Sequence, residues 1–155
     1  MKRLPLLLLI AAASALVTTS AFASSVSRPA TAHTAHTTKI DLRHTSIGTV
    51  LVSSSGLVLY EFTHDHGHNS CIAISGCAET WPALKTSGKP TAGPGVHASL
   101  LGTVKLSGGG SQVTYAGHPL YLYAAITEPG VTSYVGVSSF GGSWDALTSS
   151  GHQVK

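Results

Sequence analysis

One stretch of this chain occurs twice, and that repetition limits the possible folds more than any other feature. Val52, Gly56, Leu59, Tyr60 and Phe62 fall on Val113, Gly117, Leu120, Tyr121 and Tyr123 when the sequence is displaced by 61 residues. A second block follows at a displacement of 63. There Trp81-Pro82-Ala83-Leu84-Lys85-Thr86-Ser87-Gly88 lies on Trp144-Asp145-Ala146-Leu147-Thr148-Ser149-Ser150-Gly151. Two blocks in one order at nearly one offset predict two similar units, repeat 1 over about 49–90 and repeat 2 over about 110–153, packed about a pseudo-two-fold axis. Neither unit is large enough to bury a full core alone.

Each unit reads as β structure. Thr49-Val50-Leu51-Val52 and Leu57-Val58-Leu59-Tyr60-Glu61-Phe62 are short β-branched and aromatic runs, parted by Ser53-Ser54-Ser55-Gly56. Gln112-Val113-Thr114-Tyr115 and Pro119-Leu120-Tyr121-Leu122-Tyr123 flank Ala116-Gly117-His118 in the same way. Both are hairpin signals, and Pro119 belongs at a strand start or an edge. Period two puts Val58, Tyr60 and Phe62 on one face and Leu57, Leu59 and Glu61 on the other, with Glu61 toward solvent or the opposite sheet face. The paired aromatics are expected at the centre of each unit, with Trp81 and Trp144 beside them. Lys85 to Gly95 reads as a loop, His97 to Leu106 holds a short strand, and Ser107 to Ser111 is a Gly-Ser connection. The expected fold class is all-β, with two tandem hairpin-based units in one small domain over 40–155.

The first residues read as an export signal. Lys2 and Arg3 precede an apolar run from Leu4 to Val17, and Ala21-Phe22-Ala23 offers small residues at a cleavage site. The run is short for a bilayer span, so residues 1–23 are expected to be a removable signal peptide. Residues 24–39 are Ser, Thr, Ala, His and Pro with little to bury, and read as a disordered tether carrying the solvated His33 and His36. The whole chain has nine Lys and Arg against six Asp and Glu. Without Lys2 and Arg3 the balance is seven against six, a net charge of +1. The remaining cations are scattered, which argues against a nucleic-acid partner. The expected location is the periplasm or the medium, with no membrane span after cleavage.

Export also bears on the two cysteines. Cys71 and Cys77 would meet an oxidising compartment, where such a pair is normally bridged. The closed loop is short, and the bridge would contribute about 2–2.5 kcal/mol on the chain-entropy model. A redox-active or metal-binding pair is the competing reading; it lacks both a C-x-x-C spacing and a nearby basic helix start.

The motif order resembles a known family. Tyr60-Glu61-Phe62-Thr63-His64-Asp65 fits Tyr-x-aromatic-x-x-Asp. Cys77-Ala78-Glu79-Thr80-Trp81-Pro82-Ala83-Leu84, Tyr115-Ala116-Gly117-His118-Pro119-Leu120-Tyr121, Pro129-Gly130, Gly136 and Phe140-Gly141-Gly142-Ser143-Trp144 complete the series. Together, from roughly Thr49 to Gly151, they resemble the secreted-repeat family, predicted lipoproteins with a Tyr-x-(Phe/Trp/Tyr)-x-x-Asp motif. The resemblance implies an exported β-rich protein, often lipid-anchored, of unknown function. Three departures matter. No cysteine lies near the cleavage point, so a lipid anchor does not carry over. The two cysteines are farther apart than members usually have. The second copy has Ile126 where the motif has Asp65. Physically, Tyr60 and Phe62 read as core and Asp65 as an acceptor for loop N–H groups at a strand end.

The candidate chemistry is confined to one loop. In His64-Asp65-His66-Gly67-His68 an extended backbone would put three imidazoles on one face, which suits copper or zinc, with Asp65 as a ligand or an orienter. Gly67 and Asn69 favour a turn instead. No Gly-x-Ser-x-Gly elbow is present, and Gly108-Gly109-Gly110 has neither a following helix nor a lysine to cradle a phosphate. The acids Asp41, Asp65, Asp145, Glu61, Glu79 and Glu128 form no motivated pair. No catalytic residue and no cofactor are therefore expected, beyond a metal at His64, Asp65, His66 and His68. The leading expectation is a non-enzymatic binding or interaction module with an envelope or extracellular partner. A metal-binding protein is the alternative, and a hydrolase comes third. An aromatic cluster of this kind could also hold a sugar or a flat ligand.

Overall fold

A computed structural model describes residues 37–155; the expected signal peptide and most of the tether, with His33 and His36, lie outside the described residues. The chain is mostly strands in three small sheets. The strands are β1 (Lys39–Thr45), β2 (Gly48–Ser53), β3 (Tyr60–Phe62), β4 (Lys85–Thr86), β5 (Thr91–Ala92), β6 (Leu101–Lys105), β7 (Ser111–Tyr115), β8 (His118–Pro119), β9 (Val137–Ser139), β10 (Gly142–Leu147) and β11 (Gln153–Val154). Among the described residues, helix is limited to α1 (Cys77–Thr80) and two 3-10 turns at Cys71–Ala73 and Ala98–Leu100. The all-β expectation holds. Lys39, placed in the tether by composition, instead begins β1 and forms an ion pair with Asp41.

Both expected hairpin turns form, for different local reasons. In the first, Gly56 N–H donates to Ser53 O and Ser53 N–H to Leu57 O, both at 2.8 Å, and Gly56 has φ +82°. That is a three-residue loop closed by a left-handed glycine. In the second, Tyr115 pairs with His118 across Ala116 and Gly117, at φ +49° and +86°. Positive φ at both central residues marks the two-residue turn whose twist matches the flanking strands.

Beyond the turns, the arms do not stay together. Leu59 N–H still reaches Leu51 O, but β3 then leaves to pair antiparallel with β10, Trp144 facing Phe62 and Ala146 facing Tyr60. β2 is completed by β1, a hairpin that the hydrophobic pattern did not reveal. In the second unit Leu120 N–H donates to Val113 O, and Tyr121 then bridges both Tyr60 and Ala83. The sheets are β2-β1-β5, β4-β7-β6 with β8 on β7, and β3-β10-β11 with β9 also on β10. The expected loop at Lys85–Gly95 contains β4 and β5, two-residue strands that exist because β7 and β1 offer them edges.

Backbone bonds recur in matched places. Tyr60 N–H donates to Tyr121 O at 3.0 Å, and Tyr121 N–H to Tyr60 O at 2.8 Å. Thr63 N–H reaches Ser143 O, and Ala124 N–H, 61 residues on, reaches Thr80 O. Asp65 N–H turns back to Phe62 O, and Ile126 N–H to Tyr123 O. The two matched tyrosines thus meet each other directly.

Period two sorts the side chains into two cores. Val50, Val52, Val58, Tyr60, Phe62, Trp81, Tyr121, Trp144 and both cysteines share one; Leu51, Leu59, Leu84, Val113, Tyr115, Leu120 and Leu147 share the other. The aromatic pairs are expected at the centre of each unit, in an interior common to both halves. They do form one joint cluster, because β3 and the Tyr121 segment lie side by side.

Candidate functional site

The first core is built around a stack of rings. Trp81 and Trp144 lie face to face with centroids 4.1 Å apart and planes 4° apart. Phe62 continues the stack on Trp144 at 4.1 Å and 7°. Tyr123 lies against Trp81 at 4.7 Å, and Tyr134 on Tyr123 at 3.9 Å. Tyr60 meets Trp81 edge-on at 5.1 Å, and Tyr121 meets Trp144 edge-on at the same distance. Offset and edge-to-face contacts of this kind add about 0.5–1.5 kcal/mol per pair beyond burial. Backbone approach makes the stack possible: a Cβ added at Gly142 would lie 2.7 Å from the Phe62 ring.

One end of the stack reaches the surface at Tyr123 and Tyr134, both half-buried. Between β8 and β9 Tyr134 sits in a turn-rich stretch without periodicity, so its place on Tyr123 left no trace in the hydrophobic pattern. The Tyr123 phenol titrates above its usual value because of its hydrogen bond with Tyr134. Beneath them Tyr60 is raised to about 12, first by burial and then by Tyr134 and Tyr123. The Tyr60 hydroxyl and Trp81 Nε1 are buried without hydrogen-bond partners.

The other end carries the histidine loop. His64 stacks on Phe62 at 5.7 Å, and His66 lies 6.4 Å from His64, ring to ring. His68 turns its Nδ1 to the carbonyl of His66. All three rings are exposed. Among the described residues no three His, Cys, Asp or Glu side chains converge on a point that could hold a metal ion. Asp65 does not face the imidazoles: Oδ1 accepts Ser70 N–H at 2.8 Å and Ser70 Oγ–H at 2.6 Å, while Oδ2 accepts the Tyr121 hydroxyl at 2.7 Å. Tyr121 is held protonated far above the usual tyrosine range, first by burial and then by this bond. The bond also ties the histidine loop to the segment that follows β8. Asn69 adds another tie by donating to buried Gln112. Cys71 and Cys77 form the expected disulfide, both fully buried with Cα atoms 5.3 Å apart.

On the second core side, Glu61 is 1% exposed. It faces the opposite sheet face, as alternation allowed, but never reaches solvent. Gln153 donates to Oε1, and His118 Nδ1 lies 3.0 Å from Oε2. His118 titrates above its usual 6.5, chiefly through this hydrogen bond, with burial opposing. Asp145 stands directly across from Glu61 in the β3–β10 register; Ser143 donates to its Oδ1, and Oδ2 is buried without a partner. Gln153 is 92 residues from Glu61, a separation at which sequence pattern carries no signal.

Two surface hollows adjoin these elements. A shallow one is lined by Ser138, Ser139, Gly141, Gly142 and Ser143. A narrower one of about 160 Å³ runs from Asn69 and Ile72 past Trp81 and Pro82 to Leu106. No curated protein and no solved structure matches the chain. From β6 to just past β10, residues 102–148 match the family described as a secreted repeat of unknown function, the family that the tyrosine, tryptophan and glycine motifs resemble.

Proposed function

We propose that this is an exported, non-enzymatic binding module of the cell envelope, and that it holds a sugar ring by its apolar C–H face on the Tyr123–Tyr134 end of the stack. The observation that carries this reading is the position of Tyr134: it ends a run of stacked rings, is half-buried, and lies in the loop that leads into β9 beside exposed Val137. A rigid aromatic surface binds rings at little entropic cost because its own orientation is already set. The acids near the core are largely engaged in holding the fold. Asp65 serves Ser70 and Tyr121, and Glu61 serves Gln153 and His118. That division supports binding over catalysis.

Affinity electrophoresis through gels containing soluble cell-wall polysaccharide tests the reading. Retardation of the wild type, lost in Tyr134→Ala, is the expected result. Equal mobility of the two proteins, with and without polysaccharide, would overturn it. A second reading, metal binding at the histidine loop, is supported by the proximity of exposed His64 and His66. Calorimetric titration with Cu(II) or Zn(II) of the wild type and of a His64/His66/His68→Ala variant decides it: equal, weak heats in both end that idea.

A further inference from the structure

Six tyrosine and tryptophan rings touch in this core, and only one buried phenol among them has a base to take its proton. Tyr60 and Tyr121 occupy matched positions, each edge-on to a tryptophan. The Tyr60 hydroxyl is buried with no hydrogen-bond partner, whereas the Tyr121 hydroxyl donates to a carboxylate at 2.7 Å. Losing an electron makes a phenol strongly acidic, so a tyrosine is oxidised readily only where an acceptor stands within hydrogen-bond reach, about 2.6–3.2 Å. The tryptophans differ in a complementary way. Trp81 Nε1 has no acceptor, and Trp144 Nε1 has only the weakly basic hydroxyl of Ser139. A tryptophan radical cation formed there keeps its proton and remains a strong oxidant.

We propose that Tyr121 is a redox-active tyrosine, oxidised through the ring chain Tyr134–Tyr123–Trp81–Trp144 and deprotonated by Asp65. The successive centroid distances along that chain and on to Tyr121 are 3.9, 4.7, 4.1 and 5.1 Å. The partner is a high-potential one-electron oxidant, of the ferryl-haem class, that meets the protein at Tyr134. It draws one electron from Trp81 across the tyrosine pair and is itself reduced by one. Trp144 refills Trp81, and Tyr121 refills Trp144. As the last electron leaves, the phenolic proton moves from Tyr121 to Asp65 Oδ2. The products are a neutral tyrosyl radical, a protonated Asp65 and two intact indoles. A one-electron donor of the ascorbate class returns Tyr121 to the phenol, with Asp65 giving the proton back. The motif acid present once, with Ile126 at the matched place, makes Tyr121 the one buried phenol of the stack with a carboxylate to trap the hole.

Flash-quench oxidation of the mature protein with photogenerated ruthenium(III) tris-bipyridine tests this, with transient absorption and electron paramagnetic resonance as readouts. The ruthenium probe requires no polysaccharide, so the outcome is separate from that of the binding assay. The wild type and Tyr60→Phe should give the same tyrosyl radical. In Tyr121→Phe its yield should fall about tenfold, with a tryptophan radical persisting in its place. In Asp65→Asn the tyrosyl radical should form about tenfold more slowly, with thermal unfolding confirming the fold. Wild-type radical formation should slow in deuterated solvent, a readout that needs no variant. A wild-type yield in Tyr121→Phe, a wild-type rate in folded Asp65→Asn, or no solvent isotope effect would each overturn the proposal.

Discussion

His118 shows how one side chain makes the stability of this fold depend on pH. Its ring nitrogen lies 3.0 Å from the buried carboxylate of Glu61, and the imidazole holds its proton more tightly folded than unfolded. The stabilisation is therefore complete below the unfolded value of 6.5 and is lost as pH rises through the raised folded value. The ring is 38% exposed, so solvent screening holds the effect to the order of 0.5 kcal/mol. The wild-type thermal midpoint should fall across this window, and His118→Gln, whose amide can still donate to Glu61, should flatten that fall. Parallel pH profiles for the two proteins would remove the histidine from the account. Alternation had placed Glu61 correctly, opposite Tyr60. Its burial was not legible, because the partners that make burial tolerable come from β8 and β11 and leave no mark near position 61. Asp65 was more readable: its place at a strand end signalled an acceptor for loop N–H groups, and Ser70 supplies the donor. The tyrosine on its other oxygen was out of reach of any local pattern.

The elements are short, and several hold their shape only because something outside them does. α1 has four residues, well below what an isolated helix needs. It is fixed at Cys77 by the disulfide, at Thr80 by Ala124, and by Trp81, whose N–H returns to Cys77 O at 2.7 Å. Composition cannot reveal such a turn of helix, since its stability lies in tertiary contacts. The cysteine pairing itself was legible from compartment and spacing. Reduction should lower unfolding free energy by about 2 kcal/mol on the chain-entropy model, more if the fully buried sulfurs become wet. Denaturant titration with and without reductant measures it, and identical midpoints would show that the loop is held by Asp65 and the aromatic core alone. Phe140 is a second case of outside support. It adopts φ +56° in the two-residue β9–β10 turn, a conformation that a bulky residue takes only under constraint. Packing of its ring against the first core supplies that constraint.

At the scale of the whole molecule, the pairings cross between the halves. The tryptophan block that follows the first hairpin pairs with the second: Ala83 bridges Tyr121, and Leu84 bonds Leu120 and Val113. The block after the second hairpin pairs with the first, Trp144 to Phe62 and Ala146 to Tyr60. Likeness between the blocks was visible in the sequence, but the exchange was not. Swapping partners between two like sequence blocks leaves every local pattern unchanged. Its consequence can be tested by cutting the exposed Ser107–Gly110 turn. Residues 37–106 keep only the β2-β1-β5 sheet whole, and residues 107–155 lose β3, β4 and β6. Each fragment holds one of the protein's two tryptophans. Alone, neither should show a cooperative unfolding transition, since each lacks half of the aromatic cluster. Mixed, they should assemble and produce an exciton couplet in circular dichroism, because Trp81 and Trp144 then stack at 4.1 Å. A fragment that unfolds cooperatively alone, or a folded mixture without the couplet, would mean that each half closes on itself and that the crossed pairing does not hold the fold together.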